Sequence, residues 1–155
     1  MDRREMLGLL GAGAAGFTAL SANADEKSED HCCELDKLHA DCLKACADCA
    51  KACDMTFHHC LTQVAEGKKE HAKSVQLTSD CAGFCSLSAC MIAKHSPLMV
   101  HSCEACADAC KATAAEVGRF ETEVRQATAE KLRVCEKSCR TMVANMKGGS
   151  GLRAN

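Results

Sequence analysis

Thiols recur at the α-helical period through most of this chain, and that spacing limits its possible folds more than any other feature. In the stretch CLKACADCAKAC, Cys42, Cys46, Cys49 and Cys53 follow one another at three or four residues. At 100° per residue these four and Cys60 form one narrow stripe, which His31, Leu35, Leu38 and Val64 share. Later segments repeat the pattern. Cys103, Cys106 and Cys110 share a face with Met99 and Val117, while Cys135, Cys139, Met142 and Met146 form a stripe that Val124 and Leu132 extend. Cys81 and Cys85 lie on a face continued by Leu77 and Ile92. Cys90 falls about half a turn away from Cys81, and of the adjacent Cys32 and Cys33 at most one can point squarely inward.

Such stripes must be buried, and the punctuation of the chain says against what. A helical segment over about 31–65 ends at Glu66-Gly67, and a second over 69–94 stops at His95-Ser96-Pro97. A third covers 98–117 and stops at Gly118, and a fourth covers 120–146. A single Pro in 155 residues, with frequent Ala, Lys, Glu and Leu, leaves little to break these helices. Four helices on very short connections are antiparallel neighbours. The expected fold is therefore all-α, an antiparallel up-down four-helix bundle over 25–147 with a Cys-lined core, followed by GGSGLRAN, 148–155, as a flexible tail. With fifteen Cys, no Trp, no Tyr and four Phe, that core must be built from thiols, Ala, Leu and Met.

The segment MDRREMLGLLGAGAAGFTALSANA carries a twin arginine (Arg3, Arg4), an apolar run from Met6 to Leu20, and a small-x-small site at Ala22-Asn23-Ala24. It resembles a twin-arginine export signal over 1–24, too short and Gly-rich for a comfortable span. The expectation is an exported, periplasmic protein with no stable membrane association after cleavage. Net charge is −2 with both signs interspersed, which gives no reason to expect nucleic acid as a partner.

Several chemistries compete for so many thiols. Cys can serve as a small buried hydrophobe, but Ala and Val would fill the space without the oxidation hazard. A disulfide-stapled interaction module is the usual reading of an exported Cys-rich chain, yet side chains four apart on a helix have Cβ atoms about 5–6 Å apart against the roughly 3.8 Å of a disulfide. A thiol redox or metal-detoxifying protein could use the C-x-x-C pairs Cys46/Cys49 and Cys103/Cys106. The run C-x3-C-x2-C-x3-C departs from the iron–sulfur motif, and no C-x-x-C-H offers haem attachment. No nucleophile motif or phosphate loop suggests an enzyme. Zinc wants four ligands closed around it, whereas a helix face supplies thiols in pairs. That suits Cu(I), the soft ion matched to thiolate and thioether.

The segments CLKACADCAKAC, DCAGFC, KHSPL leading into SCEACADAC, and VCEKSC together resemble the bacterial copper storage proteins over about 31–146. The resemblance implies a four-helix tube filled with multiple Cu(I) ions on thiolates, often assembled as homotetramers, and in exported members a twin-arginine signal. It carries over to Cys42, Cys46, Cys49, Cys53, Cys60, Cys81, Cys85, Cys103, Cys106, Cys110, Cys135 and Cys139. Cys32, Met99, Met142, Met146 and His101 are further candidate ligands. One end of the expected bundle gathers Met91, His95, Met99 and His101 with His31, Met142 and Met146, while the other offers only His71, so copper is expected to enter at the Met/His end. The client that receives it is not legible.

Overall fold

A computed structural model describes the backbone of residues 26–150 and the side chains of 37–148. The elements run α1 (Glu26–Ala65), a 3-10 turn (Lys69–His71), α2 (Ala72–Ala93), α3 (Met99–Val117) and α4 (Glu123–Ser150). Each helix packs against its two sequence neighbours in a closed cycle, α1 with α2 and α4, α3 with α2 and α4. This is the expected antiparallel four-helix bundle.

The connections are short because each helix is stopped by its own backbone. At the end of α1, Gly67 takes a φ of +90°, while the Lys68 and Gly67 N–H groups donate to the Gln63 and Val64 carbonyls at 3.0 and 2.9 Å. After α2 the same motif recurs with His95 at φ +48° in the place usually held by Gly, and Ser96 and His95 donate to Met91 and Ile92 at 3.0 and 2.9 Å. Both motifs satisfy carbonyls that a helix end would otherwise orphan.

The core is one continuous cluster, with Cys42 to Cys53, Cys81, Cys85, Cys103 to Cys110, Cys135 and Cys139 along its axis. Ile92, Met99 and Met142 close one end, and Val117 and Leu132 lie toward the other. Leu38 and Met146 pack against it from the edge. Val64 and Leu77 are half-buried, and the side chain of Leu35 lies outside the described ones.

Three expectations need correcting. Val124 is 50% exposed rather than part of the core stripe, whereas Arg125 beside it is fully buried. A straight helix drifts about 20° per heptad relative to a packed seam, so the buried face of α4 rotates between Met142 and its N-terminus until position 125 faces inward. The fourth helix starts at Glu123 and not at Phe120, because Thr122 receives the Arg125 and Gln126 N–H groups at 3.0 Å and Phe120 is drawn under the bundle. It also runs on to Ser150, past the 147 boundary expected for the bundle, and 151–155 lie outside the described residues.

Beyond the thiols the bundle is sealed by polar side chains. Each helix supplies one buried threonine, Thr56, Thr78, Thr113 and Thr128, with the Thr56 and Thr128 hydroxyls 2.8 Å apart. Arg125 lies beyond them, donating to His71 Nδ1 at 2.9 Å and to Ser74 Oγ, with its guanidinium 3.5 Å above the centre of the Phe120 ring. Since a guanidinium only donates, His71 is held as the neutral acceptor, and burial followed by the Arg125 charge pushes its pKa down. Ser74 in turn donates to Glu116, which Arg119 and Lys73 neutralise.

Two outcomes are expected from this seal. Arg125→Ala should lower unfolding free energy by about 3 kcal/mol, since it empties a buried site and strands its partners; a loss under about 1 kcal/mol in urea denaturation would mean the network is dispensable. His71 has a folded pKa below its unfolded value, so its contribution is present above about pH 6.5 and declines as pH falls below it. His71→Gln should flatten that part of the stability–pH curve.

Candidate metal centre

Small residues and the helical period together bring the sulfurs into one column. Helices can approach closely where Ala50, Ala82, Ala107 and Ala114 alternate with thiols in the interior. Of the described cysteines all but Cys90 are buried, and all are free thiols. Cys90 is exposed, as its off-face position implied.

Four groups follow one another along the axis. Cys42, Cys103 and Cys139 form the first, at the end closed by Met99 and Met142. Next come Cys46, Cys106, Cys135 and Cys139, then Cys49, Cys85, Cys110 and Cys135, and last Cys49, Cys53 and Cys81; within each group the sulfurs lie within 4.8 Å of one another. Between helices, Cys46 and Cys139 are 3.5 Å apart, Cys85 and Cys106 3.5 Å, Cys81 and Cys110 3.7 Å, and Cys49 and Cys110 3.8 Å. Within helices, Cys81 and Cys85 lie 3.9 Å apart, and Cys106 and Cys110 4.0 Å. These separations exceed the roughly 2.05 Å of a disulfide. A metal bound trigonally at about 2.3 Å per thiolate places its sulfurs about 4 Å apart, close to what the unfilled column already has.

A single helix face supplies one side of the column, and packing gathers thiols from several helices into larger groups. Two groups hold four thiols, and the set Cys49, Cys85, Cys110 and Cys135 takes one from each helix. The groups are nevertheless not independent, because Cys139, Cys135 and Cys49 each belong to two of them. A chain of shared thiolates suits many low-coordinate ions better than several Zn²⁺ ions, each of which needs four ligands.

The electrostatics follow from the crowding of sulfur. Cys81 and Cys135 are held well below the ordinary thiol range, chiefly by hydrogen bonds from Cys110 and Cys106 respectively. Cys110 and Cys85 are pushed well above it, chiefly by hydrogen bonding to Cys106, and Cys139 chiefly by hydrogen bonding to Cys103, with burial adding to the rise in each. Cys103 is pushed up to about 12, where hydrogen bonding to Cys42 and burial outweigh the lowering by Cys139. The sulfurs of the column thus hydrogen-bond one another from helix to helix, and a soft cation bound between them takes the place of the shared protons.

The remaining candidates are distributed unevenly. Met99 and Met142 are buried at one end of the column, and Met146 is half-buried beside it. His101, expected as a ligand, is exposed on α3. Cys60 is buried but belongs to none of the four groups; it lies near Arg125, beyond the threonines, and burial raises its pKa. The side chains of Cys32 and His31 lie outside the described ones. His39 emerges as a residue that the sequence undervalues. It is buried, both its ring nitrogens lack a hydrogen-bond partner among the described residues, and its ring meets that of His95 edge-on at 5.0 Å. Its place just outside the Cys46 edge of the stripe was the available signal.

Comparisons with known proteins agree with this geometry. Residues 35–144 match the family described as copper storage protein. The Cu(I)-bound copper storage protein BsCsp3 is 32% identical with a TM-score of 0.63, covering 68% of this chain and 98% of its own. The apo form of copper storage protein 3 from Bacillus subtilis is 33% identical with a TM-score of 0.60, covering 67% and 97%. The protein Ccsp from Streptomyces lividans, solved with 10 copper equivalents, is 26% identical with a TM-score of 0.64, covering 80% and 93%. No curated protein matches the chain. The periplasmic location expected from the N-terminus is overturned here, because the Streptomyces lividans relative loaded with five coppers is described as a cytosolic copper storage protein. The export signal expected over 1–24 lies outside the described residues. With its family match over more than half its length and its axial column of shared thiols, the chain belongs to the copper storage protein family and binds multiple Cu(I) ions on Cys thiolates inside its bundle.

Proposed function

We propose that the ligands of the stored copper are Cys42, Cys46, Cys49, Cys53, Cys81, Cys85, Cys103, Cys106, Cys110, Cys135 and Cys139, acting without catalytic turnover. The observation that carries this assignment is the sharing of Cys49, Cys135 and Cys139 between successive groups, which makes the column one multinuclear site. Cys60 stands outside it, beyond the threonines. All eleven thiols are buried, which favours sequestration over a thiol redox enzyme that must present its sulfur to a substrate. Homo-oligomeric assembly belongs to the same reading, supported by apolar side chains such as Leu87 and Phe84 left exposed on the bundle surface.

Copper passes through one end. The distal end is blocked by the buried threonines and the Arg125 guanidinium, whose charge repels a cation. His71, the one donor expected there, is engaged by Arg125. The opposite end offers Met99, Met142 and Met146, with His39 and His95 in contact. Neutral thioethers and imidazoles bind Cu(I) more weakly than thiolates do, so an ion taken up there moves inward.

Anaerobic titration should show Cu(I) uptake far above one ion per chain, and Zn²⁺ uptake should stop at fewer equivalents because its tetrahedra compete for shared thiolates. Saturation by one or two Cu(I) ions would overturn storage. Thiol reagent should react poorly with the loaded protein and fully after a strong Cu(I) chelator is added; a requirement for reductant instead would favour the disulfide module. Replacing Met99, Met142 and Met146 together by Leu should slow both loading and removal with capacity nearly unchanged. Unaltered rates would leave those methionines as packing residues.

A further inference from the structure

The outer face of α2 does not look like the outside of a monomer. The stretch Lys69–Ala93 is the one helical segment among the described residues long and apolar enough to cross a membrane by length and composition, with a mean hydropathy of 1.2, yet only 33% of it is buried. Its solvent side follows the alternating four- and three-residue spacing of a helix-packing seam, Gln76, Asp80, Gly83, Leu87, Cys90 and Lys94. Leu87 is 46% exposed and Phe84 beside it 41%.

Gly83 is the second observation. It lies mid-helix, where Gly costs about 1 kcal/mol against Ala, and a Cβ built there would meet nothing within 4 Å. Nothing inside the chain therefore requires its small size. Close approach of another helix would.

Charge identifies the partner. Asp80 and Lys94 lie seven residues to either side of Leu87 on the same stripe, and neither forms an ion pair among the described residues. A two-fold axis through Leu87 that packs α2 antiparallel on α2 sets Asp80 of each chain against Lys94 of the other. It also sets Leu87 against Leu87, and Gly83 with Phe84 against the Cys90 and Met91 region. Such a self-complementary patch is what an isologous interface requires. The groove between α1 and α4, lined by Met55, Val124 and Lys131, is apolar as well but shows no such symmetry.

We infer that the outer face of α2 is a docking surface for a second copy of this chain, packed antiparallel about a two-fold axis at Leu87 with reciprocal Asp80–Lys94 pairs. This rests on the homo-oligomeric reading above and specifies its interface. It leaves the Met/His end open at both extremes of the pair, since antiparallel packing points the two columns in opposite directions.

The test is sedimentation equilibrium of the full-length reduced protein with four variants, each checked for unchanged far-ultraviolet helicity. Wild type should be a dimer or a multiple of it, and Leu87→Glu should weaken the association about a hundredfold. Asp80→Lys and Lys94→Asp should each weaken it about tenfold, and the double variant should regain the wild-type constant within about threefold. Met55→Glu on the other groove should change nothing. A monomeric wild type would sink homo-oligomerisation as a whole. An oligomer insensitive to Leu87→Glu but broken by Met55→Glu, or one in which the double variant is no better than the singles, would overturn this interface alone. So would a monomer that binds phosphatidylcholine vesicles through Leu87.

Discussion

The constraint on which the structure depends is the cost of keeping many unpaired thiols close together in a dry interior. Each buried S–H or thiolate needs a partner, and the column provides it by hydrogen-bonding sulfur to sulfur, as between Cys46 and Cys139 at 3.5 Å or Cys85 and Cys106 at 3.5 Å. Those contacts are possible only if four helices present their thiols at the same heights. The short Schellman-type stops at Gly67 and His95 set those heights by fixing where each helix ends and the next begins. Bundle register and metal capacity are therefore one property.

The two ends of the column are built from opposite chemistries. At one, Met99 and Met142 bury soft, neutral donors against the first thiol group, and His39, close to His95, holds two ring nitrogens without a partner among the described residues. At the other, hard donors take over, with buried hydroxyls followed by a guanidinium that is stacked on Phe120 and bonded to His71 and Ser74. A soft cation has favourable ligands in one direction and a fixed positive charge in the other. This polarity turns a symmetric-looking tube into a vessel with a mouth and a base.

The base also explains how a charge can be tolerated in so small a core. Arg125 is surrounded by groups that each satisfy a different part of it, namely an imidazole acceptor, a hydroxyl and an aromatic face. Ser74 passes the hydrogen bonding on to Glu116, which Arg119 and Lys73 already neutralise. These contacts offset part of the several kcal/mol that desolvating such a group costs, while Arg125 Nε stays buried without a partner among the described residues.

Which thiols face inward was legible in the sequence, because helical period alone fixes the face: Cys42, Cys46, Cys49 and Cys53 could only lie together, and Cys90 could only lie away from Cys81. The number of helices was legible too, since Gly67, Pro97 and Gly118 sit where helices must stop. What period cannot give is the height at which one helix meets another. The four-thiol groups, the bridging roles of Cys135 and Cys139, and the isolation of Cys60 beyond the threonines all depend on inter-helix register. The burial of Arg125 in place of Val124 depends on the slow rotation of the packed face along α4, which accumulates only when the helix coils around its neighbours. Local spacing determined direction, and packing of the four helices decided distance.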